Sequence, residues 1–284
     1  MKIDGREIAR SLFKTLSEHV LTLNNKGVIP HLAIIIIGND PSSYAYVAQK
    51  EKKARNIGIK VTVIRLESMV ESYRLRNIIQ ALNRNPTIHG IIVQRPLPLH
   101  IDRELINELV HPSKDVDAFH SKTKFEFPIS KATIVILEHI YSSLKTLKKT
   151  KEIKFVQWLA SQAIVVVGKG ETGGKPIATT LKKLGIKPLI VDSKTKNPKL
   201  IIEKADILIS TVGKPNMIKP AMLKKNTILI GVGIHKGKDG KLHADYNEKK
   251  IKDRVSFYTG VPGGVGPVNV AMLLDNLVLA ALSR

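Results

Sequence analysis

The sequence predicts an α/β fold built from two parallel-sheet lobes, and three observations carry that prediction. Short apolar runs rich in β-formers alternate with amphipathic helical segments from Leu32 to Gln94. A second series of the same kind restarts at Ala163, and it opens on a Gly-x-Gly-x-x-Gly turn set between an apolar run and a helical segment. A chain of 284 residues is long enough for two domains, and 43% apolar content supports a packed core.

Leu32 to Ile37 is continuously apolar and reads as a buried strand. Asp40 and Pro41 supply an N-cap and a first-turn residue for a helix that runs to Asn56 and is closed by Gly58. Val61 to Leu66 reads as the next strand, Glu71 to Arg84 as a helix, and Ile88 to Gln94 as a third strand. This alternation calls for a parallel sheet covered by helices. Helices follow from about Asp102 to Leu109 and from Thr133 to Leu147, and Lys145 to Lys154 reads as an exposed connector. The second series comprises Ala163 to Val167, a helix from about Gly174 to Leu184, Pro188 to Val191, Asp206 to Ser210 and Thr227 to Gly231. Val270 to Leu282, apolar at helical spacing, reads as a long helix packing back on a core.

The chain has no cysteine, which excludes disulfides, thiolate zinc sites and a cysteine nucleophile and agrees with a reducing compartment. No metal site is predicted. The start, Met1 to Arg6, lacks the apolar stretch of a signal peptide, and no later run is expected to reach bilayer-spanning length. A soluble cytoplasmic protein with no membrane partner is the expectation. The formal charge of +22 attracts phosphates, polycarboxylates or nucleic acid. Its lysines are spread along the chain, densest from Lys145 to Lys154 and from Lys236 to Lys252, without interleaved aromatics or a nucleic-acid module. That pattern favours a basic surface, or a basic cleft for anionic small molecules, over nucleic-acid binding.

Tyr46 and Lys50 stand at i and i+4 on the helix after the first strand, so a phenol and an amine share one face. Lys50 is expected to be solvent-facing. The pair lies near the carboxyl end of a strand, where open α/β sheets place ligands, although an isolated Tyr-x-x-x-Lys match is common on helices. In the second lobe, Gly168, Gly170, Gly173 and Gly174 form a turn whose small residues let the backbone approach a pyrophosphate at a helix N-terminus. This lobe therefore reads as a Rossmann-like dinucleotide-binding domain. Asp192 ends the next strand, where a carboxylate can bond a ribose 2′-hydroxyl and disfavour a 2′-phosphate; Lys169, Ser193 and Lys194 nearby argue the other way. Local chemistry thus leaves NADP and NAD both open. Three further stretches suit cleft-lining loops: Gly90 to Pro98 with Gln94 at a strand end, Lys114 to Phe119 with two acids, and Gly260 to Pro267, too rich in Gly and Pro for a strand or helix.

Taken together, these stretches resemble the bifunctional methylenetetrahydrofolate dehydrogenase/methenyltetrahydrofolate cyclohydrolase family. The likeness also takes in Ile3 to Ala9, Gly213-Lys214-Pro215 and Gly231-Val232-Gly233-Ile234, and covers nearly the whole chain. It implies two α/β lobes around a cleft: a folate-binding catalytic domain of residues 1–120 plus a C-terminal helix of about 265–284, and an NAD(P)-binding domain of 121–264. It further implies a homodimer, NADP as cofactor, and a folate substrate whose polyglutamate tail would suit the basic surface. On this resemblance Lys50 is the catalytic lysine, Gln94 the amide that positions it, Tyr46 a ring packed on the folate, and Asp117 the anchor of the pterin edge. Pro262, Gly263 and Gly264 are implied substrate contacts, and Gly213 and Ile234 join the glycine turn and Asp192 to Lys194 as cofactor contacts. Where the family commonly has leucine, glycine and threonine, this chain has Arg95, Ala118 and Asn269. The family's Pro-Cys-Thr-Pro is replaced by Pro128-Ile129-Ser130-Lys131, its Gly-Arg-Ser by Gly168-Lys169-Gly170, and its histidine before Ser193 by Asp192.

Overall fold

Both larger sheets are wholly parallel, as strands joined through helices require. The computed structural model describes residues 1–148 and 153–283. The elements begin with β1 (Lys2–Ile3), α1 (Gly5–Asn25), β2 (His31–Ile37), α2 (Pro41–Asn56), β3 (Lys60–Leu66), α3 (Ser72–Arg84), β4 (Gly90–Val93) and α4 (Arg103–Leu109). They continue with α5 (Pro128–Lys148), α6 (Phe155–Ala160), β5 (Ile164–Val167), α7 (Gly174–Lys183), β6 (Leu189–Val191), α8 (Pro198–Ile202) and β7 (Ile207–Ser210). β8 (Thr227–Gly231), β9 (Ile234–Lys236), β10 (Leu242–Ala244), α9 (Glu248–Ile251), β11 (Val255–Thr259) and α10 (Val265–Leu282) complete the chain.

The described residues divide into two units, Arg10–Pro128 with Val270–Arg284, and Met1–Ala9 with Ile129–Asn269. In the first, β3, β2 and β4 form a three-stranded sheet in that order, and all seven residues of β2 are buried. Ile35, Leu75, Ile79, Ile91 and Ile106 belong to its core, and each such side chain contributes roughly 1.5–3 kcal/mol when fully buried. In the second unit the sheet order is β1-β11-β8-β7-β5-β6. The chain leaves β5 to one side to form β6 and returns to the other for β7. That reversal opens a crevice at the carboxyl end of β5, the position at which such sheets bind ligands. The first residues join this unit because β1 pairs in parallel with β11, an edge pairing for which Lys2-Ile3 alone carries no signal.

Most expected elements are present within a few residues. Beyond the elements expected from the sequence, the structure adds α1, β1, α6, α8, the antiparallel pair β9 and β10, α9 and β11. The helix expected from Thr133 begins at Pro128, because proline suits a helix's first turn. The expected connector from Lys145 to Lys154 begins as the end of α5, and its residues 149–152 lie outside the described residues. Gly260 to Pro267 was expected to be a turn throughout, yet Val265, Gly266 and Pro267 open α10, where a missing N–H costs nothing because first-turn amides lack helical partners. With those residues added, α10 is long and apolar enough to cross a membrane by length and composition, which corrects the expectation that no run reaches that length. Since 67% of it is buried inside the protein, it packs as a core helix.

Candidate active site

Lys50 sits on α2, which leaves β2 through Gly38 at φ +83° and starts at a cap built from Asp40. The Asp40 carboxylate accepts from the Ser43 amide at 2.8 Å, and Pro41 occupies the first helical turn. One and a half turns of helix later, the face shared by Tyr46 and Lys50 turns inward. Lys50 is only 3% exposed, which corrects the solvent-facing expectation; its neighbours Gln49, Glu51, Lys52 and Lys53 gave no sign of a buried face. Its Nζ donates to Gln94 Oε1 at 3.0 Å and lies 4.6 Å from the Tyr46 ring centroid. Gln94 is held in turn, with Nε2 donating to the Arg95 carbonyl at 2.8 Å just beyond β4. Burial pulls the Lys50 ammonium below the ordinary lysine range, and the charge of Asp117 opposes that pull. The result is a buried amine whose acceptor, Gln94, is itself fixed.

Asp117 stands half-buried on a loop tied down by Lys114, Asp115 and Asn276. Lys114, 3% exposed, donates from Nζ to the carbonyls of Leu82, Asn83 and Asn85 at 2.8, 2.7 and 2.7 Å, closing the C-terminal end of α3. Asp115, also 3% exposed, accepts from the His120 amide at 2.7 Å. Burial, with Asp117 adding to it, pushes the Asp115 carboxyl up to about 6. From α10, the Asn276 amide donates to the carbonyls of Val116 and Glu126 at 2.9 and 2.8 Å. The available signal for Asn276 was a lone amide within the apolar run Met272 to Ala281. Ala118 lies in the left-handed region at φ +66°, a conformation that costs an alanine about 1–2 kcal/mol, so the loop is held against its own preference. Arg95, the departure beside Gln94, stacks over Phe119 at 4.9 Å and donates to Asn107 Oδ1. Arg95, Asn107, Asp115 and Asp117 line a cavity of about 10 Å³, the size of a single water.

The glycine turn in the second unit has the geometry of an anion cradle. A Cβ on Gly174 would stand 2.0 Å from the Gly168 carbonyl oxygen, and one on Gly168 would stand 2.4 Å from Thr211 Oγ1, so helix and strand meet through glycine alone. Gly170 differs: nothing lies within 4 Å of its Cβ position, which leaves the backbone open to a ligand at the N-terminus of α7. Asp192 ends β6, but its carboxylate accepts from the Lys194 amide at 3.0 Å and from Thr195 Oγ1 at 3.1 Å. These bonds hold its pKa below the usual carboxylate range. Ser193, Lys194 and Lys169 are exposed beside it. Gly213, at φ +74°, packs against Ile234, whose carbonyl oxygen would be 3.0 Å from a Cβ there.

The turn Pro262-Gly263-Gly264 belongs to this same unit, and the N-terminal segment supports it. A Cβ on Gly5 would lie 1.8 Å from the Gly264 carbonyl oxygen, and the Arg6 guanidinium lies 3.0 Å from the Cβ position of Gly263. Glu248 accepts from the Val261 amide at 2.9 Å while pairing with Lys2 at 2.8 Å. Tyr46, Lys50, Gln94 and Asp117 therefore share one unit. The glycine turn, Asp192 to Lys194, Gly213, Ile234 and the 262–264 turn share the other.

Residues 3–117 match the tetrahydrofolate dehydrogenase/cyclohydrolase catalytic domain, and residues 143–284 match the NAD(P)-binding domain of the same family. A relative from Bacillus velezensis, named bifunctional protein FolD, is 38% identical over 98% of this chain and 96% of its own length. The structure of the bifunctional FolD methylenetetrahydrofolate dehydrogenase/cyclohydrolase from Campylobacter jejuni is similar at a TM-score of 0.91 and 31% identity, covering 100% of this chain and 99% of that one. A Trypanosoma brucei methylenetetrahydrofolate dehydrogenase-cyclohydrolase, solved with NADP and an inhibitor, is similar at a TM-score of 0.85 and 28% identity, covering 100% and 97%.

Proposed function

Because the chain belongs to the tetrahydrofolate dehydrogenase/cyclohydrolase family, we propose that it oxidises 5,10-methylenetetrahydrofolate to 5,10-methenyltetrahydrofolate with NADP and hydrolyses that product to 10-formyltetrahydrofolate. The observation that carries this reading is the buried Lys50 amine bonded to Gln94 at the carboxyl end of β4, with Tyr46 on the same helical face.

The open backbone at Gly170, the tight contact of Gly168 with Gly174 and the N-terminus of α7, which no side chain caps, fit a dinucleotide pyrophosphate. Bound there, NADP supplies the hydride acceptor. Asp192 is committed to its own loop through Lys194 and Thr195, so Lys169, Ser193 and Lys194 are left to meet a 2′-phosphate, which supports NADP over NAD.

In the hydrolytic step, Lys50 in its neutral form accepts a proton from the water that adds to the methenyl carbon. It returns that proton to the ring nitrogen released when the carbon–nitrogen bond breaks, and the hydroxyl proton of the adduct leaves to solvent as the formyl carbonyl forms. Gln94 Oε1 accepts one Lys50 N–H and so fixes the direction of the amine's lone pair. Tyr46 offers a ring face to the pterin, and Asp117 accepts hydrogen bonds from its polar edge. Pro262, Gly263 and Gly264 are assigned to substrate contact, and the units 10–128 with 270–284 and 1–9 with 129–269 to folate and dinucleotide respectively. A cytoplasmic homodimer that uses its positive surface to attract polyglutamylated folates completes the reading.

The direct test follows NADP and NAD reduction by methylenetetrahydrofolate in parallel, together with loss of methenyltetrahydrofolate in the absence of cofactor. Both reactions, with NADP preferred, are expected. A protein that catalyses neither contradicts the proposal.

A further inference from the structure

Asp245 has no exposed surface and lies directly after β10. Its Oδ2 accepts from Ser210 Oγ at 2.5 Å and from the Val212 amide at 2.9 Å, and its Oδ1 accepts from the Lys214 amide at 2.9 Å. A buried carboxylate is costly to desolvate, and these bonds, all from the segment leaving β7, offset that cost. The fit depends on Gly233, where a Cβ would stand 2.3 Å from Asp245 Oδ2 and 2.5 Å from the Gly213 nitrogen. The next residue, Tyr246, donates its hydroxyl to the Thr259 carbonyl and passes beneath Gly231, where a Cβ would meet that hydroxyl at 2.5 Å. Asp245 thereby pins the segment leaving the carboxyl end of β7, and Tyr246 bonds the carboxyl end of β11 where it packs beneath Gly231 of β8. Between Ser210 and Val212 stands Thr211, the residue against which Gly168, Gly173 and Gly174 pack.

We propose that Asp245 is the positioning residue of the dinucleotide crevice: its carboxylate holds Ser210 to Lys214 in one conformation, seats Thr211 against the glycine turn, and so sets cofactor affinity without touching the cofactor. This inference rests on the dinucleotide-binding reading above. It differs from a general structural role in what it spares. Hydrolysis of methenyltetrahydrofolate uses no cofactor, and Lys50, Gln94, Tyr46 and Asp117, to which its proton transfer and pterin binding are assigned, lie in the other unit.

Asp245→Asn keeps the side chain's size but replaces one acceptor oxygen with a donor facing backbone N–H, so part of the 210–214 segment must move. The KM for NADP is expected to rise about tenfold or more, the worth of one charge-assisted hydrogen bond. The KM for methylenetetrahydrofolate, the dehydrogenase kcat at saturating NADP and the hydrolysis rate should stay within about twofold, as expected when cofactor binding is lost equally from the ground and transition states. Ser210→Ala removes one donor and keeps both backbone bonds, so a rise of about threefold is expected, and it serves if Asp245→Asn does not fold. Equal loss of both activities in a folded variant, or an unchanged KM for NADP in every folded variant, overturns the proposal. Equilibrium binding of NADP to the wild-type protein separates two failures. No wild-type binding removes the dinucleotide reading and this inference with it, whereas normal wild-type binding with unchanged variants removes this inference alone.

Discussion

Lys50 donates to Gln94 Oε1 at 3.0 Å while Gln94 Nε2 is committed to the Arg95 carbonyl, so the Lys50 amine hangs from an amide that cannot turn over without losing its own partner. An acceptor on the ammonium favours its charged form. Gln94→Leu should therefore lower the Lys50 pKa further and release the amine from its orientation. In a pH profile of methenyltetrahydrofolate hydrolysis, the limb that rises as Lys50 loses its proton should move to lower pH. The maximal rate should fall about tenfold, roughly one hydrogen bond's worth of transition-state positioning. An unchanged limb and rate in the variant would show that Gln94 does not position Lys50.

Asp117 should act in binding, since a carboxylate accepting from a pterin edge forms charge-assisted hydrogen bonds worth about 1.5–3 kcal/mol. Asp117→Ala is expected to weaken the Kd of a folate ligand, measured by calorimetry, by about ten- to a hundredfold. An unchanged Kd rules the role out.

Asp115 should make stability depend on pH in the acid range. Its folded carboxyl titrates at about 6 against an ordinary value of 3.8, so between those values the folded state binds more protons than the unfolded state. The group's contribution is therefore present below about pH 4 and is lost as pH rises through 6, a change of about 2–3 kcal/mol. Asp115→Asn lacks this titration but can still accept from the His120 amide. Urea unfolding across this range should show the variant gaining on the wild type as pH rises, with a constant difference above about pH 7. A pH-independent difference contradicts the buried-carboxyl account.

Cofactor choice should turn on Lys169 more than on Asp192. Lys169→Ala is expected to lower kcat/KM for NADP about tenfold while leaving NAD nearly unchanged, because only the 2′-phosphate carries the extra charge. Asp192→Ser removes a negative charge but can keep the turn to Lys194, so NADP use should improve modestly. If instead Asp192→Ser weakens NAD use and Lys169→Ala does little, NAD is the native cofactor. If neither cofactor's kcat/KM moves in either variant, this strand end does not read the ribose.

Local patterns made the strand-to-helix junctions legible. The apolar run ending at Ile37, the Asp40-Pro41 cap and the glycine turn after Val167 each encode their geometry within a few residues. Two omitted elements were also written locally: Leu16, Val20 and Leu23 recur at helical spacing along the buried face of α1, and Val255, Phe257 and Thr259 alternate as the buried face of β11. Long-range contacts were not legible. Lys114 reaches back to α3, Asn276 reaches Val116 from the far end of the chain, and Asp245 answers amides at 212 and 214. Nothing in the residues flanking these three specifies those partners. The burial of Lys50 belongs to the same class, since it comes from what packs over α2 rather than from the polar sequence of that helix.

Lys50→Met removes the amine proposed to move the proton in hydrolysis while leaving the rest of the site in place. Methionine fills nearly the same volume without a buried amine, leaving Gln94 Oε1 short of a donor at a cost of about 1–3 kcal/mol, which a chain of this size should survive. Hydrolysis of methenyltetrahydrofolate is measured on the variant after thermal unfolding has shown it to be folded. This activity should be nearly abolished, and a folded Lys50→Met protein that hydrolyses at the wild-type rate rules out Lys50 as the proton carrier.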